Sequence, residues 1–181
     1  LRRHGAVATN PGMQRHFLPL ALPVLLLASC AYPGGHYRGY MTRSYVEKGS
    51  NWQPMSVDQA LHYHETGTAS WYDESSFLGL KRGQTSLGEK VMPWHLIAAH
   101  KTLPLPCMVK VTNVHNGRSV KCRVNDRGPF VGNRIIDLSP RAAKKLGFRG
   151  SGLAQVEVEV ISVGDGSYKR TLKRKWFFGL F

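Results

Sequence analysis

Three segments of this chain alternate apolar and polar residues with a period of two, and that pattern restricts its fold more than any other feature. Val109 and Val111, then Val120, Cys122 and Val124, then Val156, Val158 and Val160 fall on one side of their segments. Lys110, Thr112, Lys121, Arg123, Glu157 and Glu159 fall on the other. A period of two puts one face of a strand in a core and the other toward solvent, which a helix with its 3.6-residue repeat cannot do. Strands are expected at 68–72, 95–99, 108–113, 119–125 and 154–163, separated by turn residues. Helices are few. Ser56-Val57-Asp58-Gln59 has the form of a capping box before a short run to His64. Ser139 as N-cap, Pro140 at the first helical position and Gly147 as the stop frame a second, basic helix. About six strands with one or two short helices predict an all-β closed barrel rather than a layered α/β fold.

The turn at Asn116-Gly117 places Val111 opposite Cys122 and leaves Cys107 four residues further along, so the two cysteines are expected as buried free thiols.

The N-terminal part reads differently. Met13-Gln14-Arg15-His16 is a short basic region, and residues 17–28 form an apolar stretch too short to span a membrane. It ends in Leu27-Ala28-Ser29-Cys30, which resembles the lipobox of bacterial lipoproteins, where the thiol of Cys30 accepts diacylglycerol before cleavage. Residues 1–29 are thus expected to be a signal peptide starting at Met13, and residues 30–44, rich in Gly and Tyr, a flexible tether. Residues 45–66 form an N-terminal extension with the short helix, 67–163 the barrel, and 164–181 a basic-aromatic tail. Ala31 after Cys30 favours the outer membrane under the sorting rule of enteric-type bacteria, with the protein facing the periplasm.

Lys and Arg number 25 against 11 Asp and Glu, a net charge of +14. Loss of residues 1–29 removes three arginines and no acid, so the remainder stays strongly basic. Such a chain attracts polyanions, anionic membranes or acidic wall polymers through the same long-range field. Secretion argues against nucleic acid as the partner. His62, His64, His95 and His115 make no ligand set with metal spacing, and no phosphate loop is present, so neither metal nor cofactor is expected.

Six motifs occur in order: Gly67-Thr68-Ala69-Ser70-Trp71-Tyr72; Thr85-Ser86-Leu87-Gly88-Glu89; Ala98-Ala99-His100-Lys101-Thr102-Leu103-Pro104; Asn116-Gly117-Arg118; Asn125-Asp126-Arg127-Gly128-Pro129-Phe130; and Arg134-Ile135-Ile136-Asp137-Leu138-Ser139. Over residues 45–163 the chain resembles the rare lipoprotein A family, whose double-psi β-barrel is related to expansins and to the MltA class of lytic transglycosylases. The resemblance implies cleavage, without water, of the bond between N-acetylmuramic acid and N-acetylglucosamine in peptidoglycan glycan strands. The product is a 1,6-anhydro sugar, and the outcome is cell wall remodelling. It assigns the acid and base to Asp126, with Glu89 and His100 as further catalytic groups.

The residues themselves support these roles in part. Asp126 ends a strand at a barrel rim, where it can face substrate, pair with Arg127 or cap the amides of the turn. Glu89 is either a solvated acid or a second carboxylate that acts on Asp126 by like-charge proximity. His100 is either a hydrogen-bonded core residue or a group that orients Asp126 or Glu89. Trp71 and Tyr72 either stack on sugar rings or belong to the core. Asn125 accompanies them as a substrate-binding residue, while Arg127 and Arg134 either bind lactyl carboxylates of the glycan or pair with Asp137. The tail is either an interfacial or docking segment or a charge run whose aromatic end folds back.

Several residues depart from the family pattern: Asp73 stands where Gly is usual, residues 74–79 differ, and Val91, Met92, Pro93 and Trp94 follow Glu89. The SPOR domain of many members is not matched, its place being taken by the short tail. A non-catalytic, expansin-like wall-binding module is the alternative function that the resemblance leaves open.

Overall fold

Six strands close a mixed barrel: β3 (His64–Trp71), β4 (Ile97–His100), β5 (Cys107–Asn113), β6 (Ser119–Asp126), β7 (Arg134–Leu138) and β8 (Leu153–Val163). Around it they run β3-β7-β4-β6-β5-β8, with β8 returning to β3. The pairs β3·β7 and β4·β6 are parallel and the other four antiparallel. This is the all-β, six-stranded double-psi arrangement expected above. The computed structural model describes residues 37–72 and 83–172. The signal segment, Cys30, the departures at 73–79 and the aromatic end of the tail lie outside the described residues.

The core follows from the alternation. Val109, Val111, Val120, Cys122, Val124, Val156, Val158 and Val160 are buried together with Ile136, Leu138 and Ala98. Each fully buried valine contributes about 1.5–3 kcal/mol relative to leaving it exposed. Helix α2 (Pro140–Leu146) adds Ala142, Ala143 and Leu146 to this cluster. Its ends are those expected: Ser139 Oγ accepts from the Ala142 amide, Pro140 opens the first turn, and Gly147 closes it at φ 80°. Helix α1 (Val57–Leu61) carries the complete Ser56/Gln59 capping box.

The hairpin register differs from the expectation by two residues. Val109, not Val111, faces Cys122, and Cys107 faces Val124. The connection is a four-residue loop, 114–117: the Asn113 carbonyl accepts from the Gly117 amide, and the Asn113 and Asn116 side chains accept from His115 and Arg118. A shift of two keeps every side chain on its own face, so the core is unchanged. Both cysteines are buried and unpaired, and burial pushes each thiol up to about 12.

Three further differences bear on the site. Strand β7 escaped the sequence pattern because Ile135-Ile136 shows no alternation; its conformation comes from β3 on one side and β4 on the other. A Cβ on Gly67 would lie 2.7 Å from Ile135 Cγ2, so β3 and β7 approach closely only because that position is glycine. A hairpin precedes α1, made by β1 (Tyr45–Glu47) and β2 (Ser50–Trp52).

The third difference lies in the segment read as a tether, which docks where it is described. Met41 bridges Leu105, and the Tyr40 ring meets Tyr168 edge-on at 6.1 Å. The described part of the tail also returns to the barrel, with Arg170 bridging Val163.

Candidate active site

Asp126 is the last residue of β6, and an irregularity in the ladder decides where it points. Ala98 faces Val124, but the next residue, Ala99, faces Asp126, so Asn125 is skipped. Ala99 in turn faces Asp137 of β7, and Asp137 faces Ser70 of β3. Asp126, Ala99, Asp137 and Ser70 thus form one row across four strands.

A tight turn at 85–89 covers this end of β6. The Thr85 amide donates to the Glu89 carbonyl, the Gly88 amide to the Thr85 carbonyl, and the Glu89 amide to Thr85 Oγ1. One side of the turn reaches Asp126: its Oδ1 accepts from the Ser86 amide at 2.9 Å, Ser86 Oγ at 2.6 Å and the Arg127 amide at 2.8 Å. Oδ2 has no hydrogen-bond partner among the described residues. Three donors on one oxygen fix the carboxyl plane. Of the roles open to Asp126, capping of the turn amides is taken by Oδ1 alone.

The other side of the turn carries Glu89. Its Oε1 accepts from Arg123 Nη2 at 2.6 Å, and its Oε2 from Arg123 Nε at 3.2 Å and Asn125 Nδ2 at 2.7 Å. Arg123 also grips Asp165, with Nη1 to Oδ1 at 2.6 Å and Nη2 to Oδ2 at 2.7 Å. Alternation assigned Arg123 to the solvent face. It is only 9% exposed, because the 85–89 turn and the segment after β8 close over it. Burial opposes its charge, but the hydrogen bonds it donates to Asp165 and Glu89 outweigh that and hold its pKa above the ordinary arginine value. Glu89 is thus not a bare like charge beside Asp126; its charge is matched by a guanidinium. One turn thus reaches both adjacent residues at the end of β6, Ser86 binding Asp126 and Glu89 binding Asn125.

His100 does not orient either carboxylate. Its Nδ1 accepts from the Thr102 and Leu103 amides at 3.2 and 3.0 Å, which puts the proton on Nε2. That proton goes to Tyr63 Oη at 2.9 Å, and Tyr63 donates in turn to Glu65 at 2.5 Å. Burial, aided by Arg127 and Lys101, pushes His100 down to about 3, so it is neutral. Of the two roles open to it, the structure supports the hydrogen-bonded core residue.

Arg127 is likewise committed to backbone carbonyls. Its Nη1 donates to the Leu103 carbonyl at 2.6 Å and its Nη2 to the Met41 carbonyl at 3.0 Å, with the guanidinium over the Tyr45 ring. It binds the 100–103 turn to the N-terminal segment instead of offering a site for a glycan carboxylate. Arg134 takes the pairing alternative: Nη1 lies 2.6 Å from Ser70 Oγ and 3.6 Å from Asp137 Oδ1. Ser70 Oγ donates to Asp137, whose pKa is raised by burial against the opposing pull of Ser70 and Arg134. Trp71 is half-buried, its Nε1 donating to the Arg149 carbonyl at 3.1 Å with the Arg149 guanidinium 5.6 Å from the ring centre. Tyr72 is half-buried at the end of β3, its amide bonded to the Leu138 carbonyl.

Sequence reasoning passed over Ser86, Arg123 and Asp165. Ser86 lies within a quoted motif, and a hydroxyl residue three positions before an acid in a Gly-containing turn is the signal that was available. Arg123 and Asp165 have none, since their contacts join positions far apart in the chain.

Comparison with known proteins identifies the family. Residues 64–158, more than half of the chain, match the family described as lytic transglycolase. An endolytic peptidoglycan transglycosylase RlpA of Neisseria meningitidis serogroup B is 50% identical over 125 residues, covering 69% of this chain and 50% of that protein. Those of Pseudomonas aeruginosa PAO1 and Rickettsia bellii are 47% and 43% identical, covering 72% and 76% of this chain and 36% and 60% of theirs. The chain spans about half the length of the first of these relatives. Among solved structures, apo Clavibacter michiganensis expansin is similar at a TM-score of 0.45 and 18% identity, over 57% of this chain and 53% of that one.

Proposed function

The chain belongs to the lytic transglycolase family of RlpA-type proteins, and from that premise we propose that it cleaves peptidoglycan glycan strands endolytically, leaving 1,6-anhydro-muramic acid ends. The observation that carries this reading is the one-sided clamp on Asp126, which immobilises Oδ1 through Ser86 and Arg127 and leaves Oδ2 for proton transfer. Protonated on Oδ2, Asp126 gives its proton to the glycosidic oxygen as the bond from muramic acid C1 to that oxygen breaks. The C6 hydroxyl of the same sugar then forms the C1–O6 bond, and its proton returns to Oδ2. The balance closes without water, and one carboxyl serves as acid and then as base.

Glu89, held by Arg123 and Asn125, supports positive charge developing at C1 and fixes the position of the residue before Asp126. His100, Arg127 and Arg134 serve as positioning residues of the rim. The experiment is digestion of purified sacculi by the chain from residue 30 with Cys30→Ser. Anhydro-muramyl products detected by mass spectrometry, and lost in Asp126→Asn, support the reading. Sacculus binding that survives Asp126→Asn with no anhydro ends from the parent chain would instead leave a wall-binding module.

The lipobox supports a second part of the reading: attachment of the basic chain to the outer membrane, facing the periplasm, through lipidated Cys30. Palmitate labelling abolished by Cys30→Ala, with release from the outer-membrane fraction, is the expected result. An unlabelled parent chain would overturn it.

A further inference from the structure

A cleft of about 600 Å³ opens beside α2, with neither Asp126 nor Glu89 in its walls. Pro93 and Trp94, from the loop entering β4, form one wall; Arg141, Lys144 and Lys145 of α2 and Arg149 of the following turn form the other. All four cations are exposed, and none forms an ion pair with a described residue. Elsewhere the cationic side chains of the rim are matched: Arg123 by two carboxylates, Arg134 by Asp137, and Arg127 by carbonyls. Arg141, Lys144 and Lys145 lie within two turns of one short helix and concentrate positive charge on it. Trp94 is 55% exposed, its ring edge-on to His95.

We propose that this cleft is an anionic-sugar subsite. It would hold a segment of a glycan strand whose carboxylates are carried on the sugars themselves, with one ring on Trp94 and acidic groups on the α2 cations. Charge complementarity selects the anion. The tryptophan within the same walls selects a sugar that bears its charge directly, over a flat lipid surface that a concave cleft does not match. Arg149 makes the cleft continuous with the barrel, since it also stacks on Trp71, the neighbour of Ser70 in the Asp126 row. Along the barrel wall Ser70 and Asp126 are three strand spacings apart, a path of about 14 Å, within the reach of one strand of several sugars. The subsite rests on the proposed glycan specificity but not on cleavage.

The test measures binding by calorimetry with Asp126→Asn as the background, so that a failure of catalysis leaves binding readable. The probes are peptide-free glycan strands, a neutral N-acetylglucosamine oligomer, and vesicles containing anionic phospholipid. Replacing Arg141, Lys144 and Lys145 by Gln is expected to weaken glycan binding about tenfold, with neutral-oligomer affinity unchanged. Trp94→Ala is expected to weaken both carbohydrate probes. In the parent chain, the triple variant should raise KM and leave kcat in place. Unchanged glycan affinity in both variants overturns the proposal. So does selective loss of vesicle binding, which would reassign the cleft to a membrane surface. Because the replaced side chains are exposed, retained thermal unfolding is the expected control.

Discussion

Arg123 holds Glu89 by two hydrogen bonds, Nη2 to Oε1 at 2.6 Å and Nε to Oε2 at 3.2 Å, and does so while gripping Asp165 with the same guanidinium. One buried cation thus joins three parts of the chain: the strand that ends in Asp126, the turn that covers it and the segment leaving β8. The side chains involved are only 10, 18 and 17% exposed, so solvent does not replace a lost partner.

Arg123→Met is expected to destabilise the fold by about 3–5 kcal/mol, because it strands two poorly solvated carboxylates. Arg123→Lys retains the charge but cannot make the two-pronged contacts, and should recover part of the stability while glycan cleavage stays low. Denaturant unfolding and anhydro-product release measure the two effects separately. Equal stability of Arg123→Met and the parent chain would show that the network contributes nothing to folding.

Ser86 contributes both an amide and a hydroxyl to Asp126 Oδ1. Ser86→Ala removes the hydroxyl, and with it a bond to Asp126 and an acceptor for the Arg127 amide. The expected result is a fall in kcat of about tenfold or more with KM nearly unchanged, since the bond orients the proton donor and does not touch the glycan. A rise in KM at constant kcat would contradict this assignment.

How much of this site was legible in the sequence depends on the range of each interaction. The caps of α1 and α2 are local, and Ser56, Gln59, Ser139, Pro140 and Gly147 do what their types predict. The alternating valines are also local, and a two-residue error in register left them on the correct face. Arg123 shows the limit. Its position in an alternating strand points outward, and only contacts 34 and 42 residues away turn that face into a buried one. Arg127 and His100 were found as motif residues, but their partners, the carbonyls and amides of a folded turn, exist only once the barrel has closed. The family resemblance located the rim without revealing which of its polar residues face substrate.

Cys107 and Cys122 are buried, and their thiols are pushed up to about 12. The native chain with Cys30→Ser is therefore expected to resist a thiol reagent at mildly alkaline pH, and to react at two sites once denatured. Rapid labelling of either cysteine without denaturant would overturn that.

His100 sets an acid limit on stability. Burial pushes it from 6.5 down to about 3, with both ring nitrogens committed, so between those values the unfolded chain binds a proton that the folded chain does not. Stability is then fully present above the unfolded value and falls as pH drops toward the folded one, by about 1.4 kcal/mol per pH unit for this single group. Asp137, with its raised pKa, acts in the opposite direction, since its folded form binds the proton more readily. Subtraction separates the two. His100→Asn keeps an acceptor near the place of Nδ1 for the Thr102 and Leu103 amides but does not titrate, so its stability should decline less steeply with acid than that of the parent chain while Asp137 contributes equally to both. Urea unfolding at several pH values between about 4 and about 6 gives the two slopes. Parallel slopes would mean that His100 takes up its proton in the folded chain as readily as in the unfolded one, and that the Tyr63 and backbone contacts do not hold it neutral.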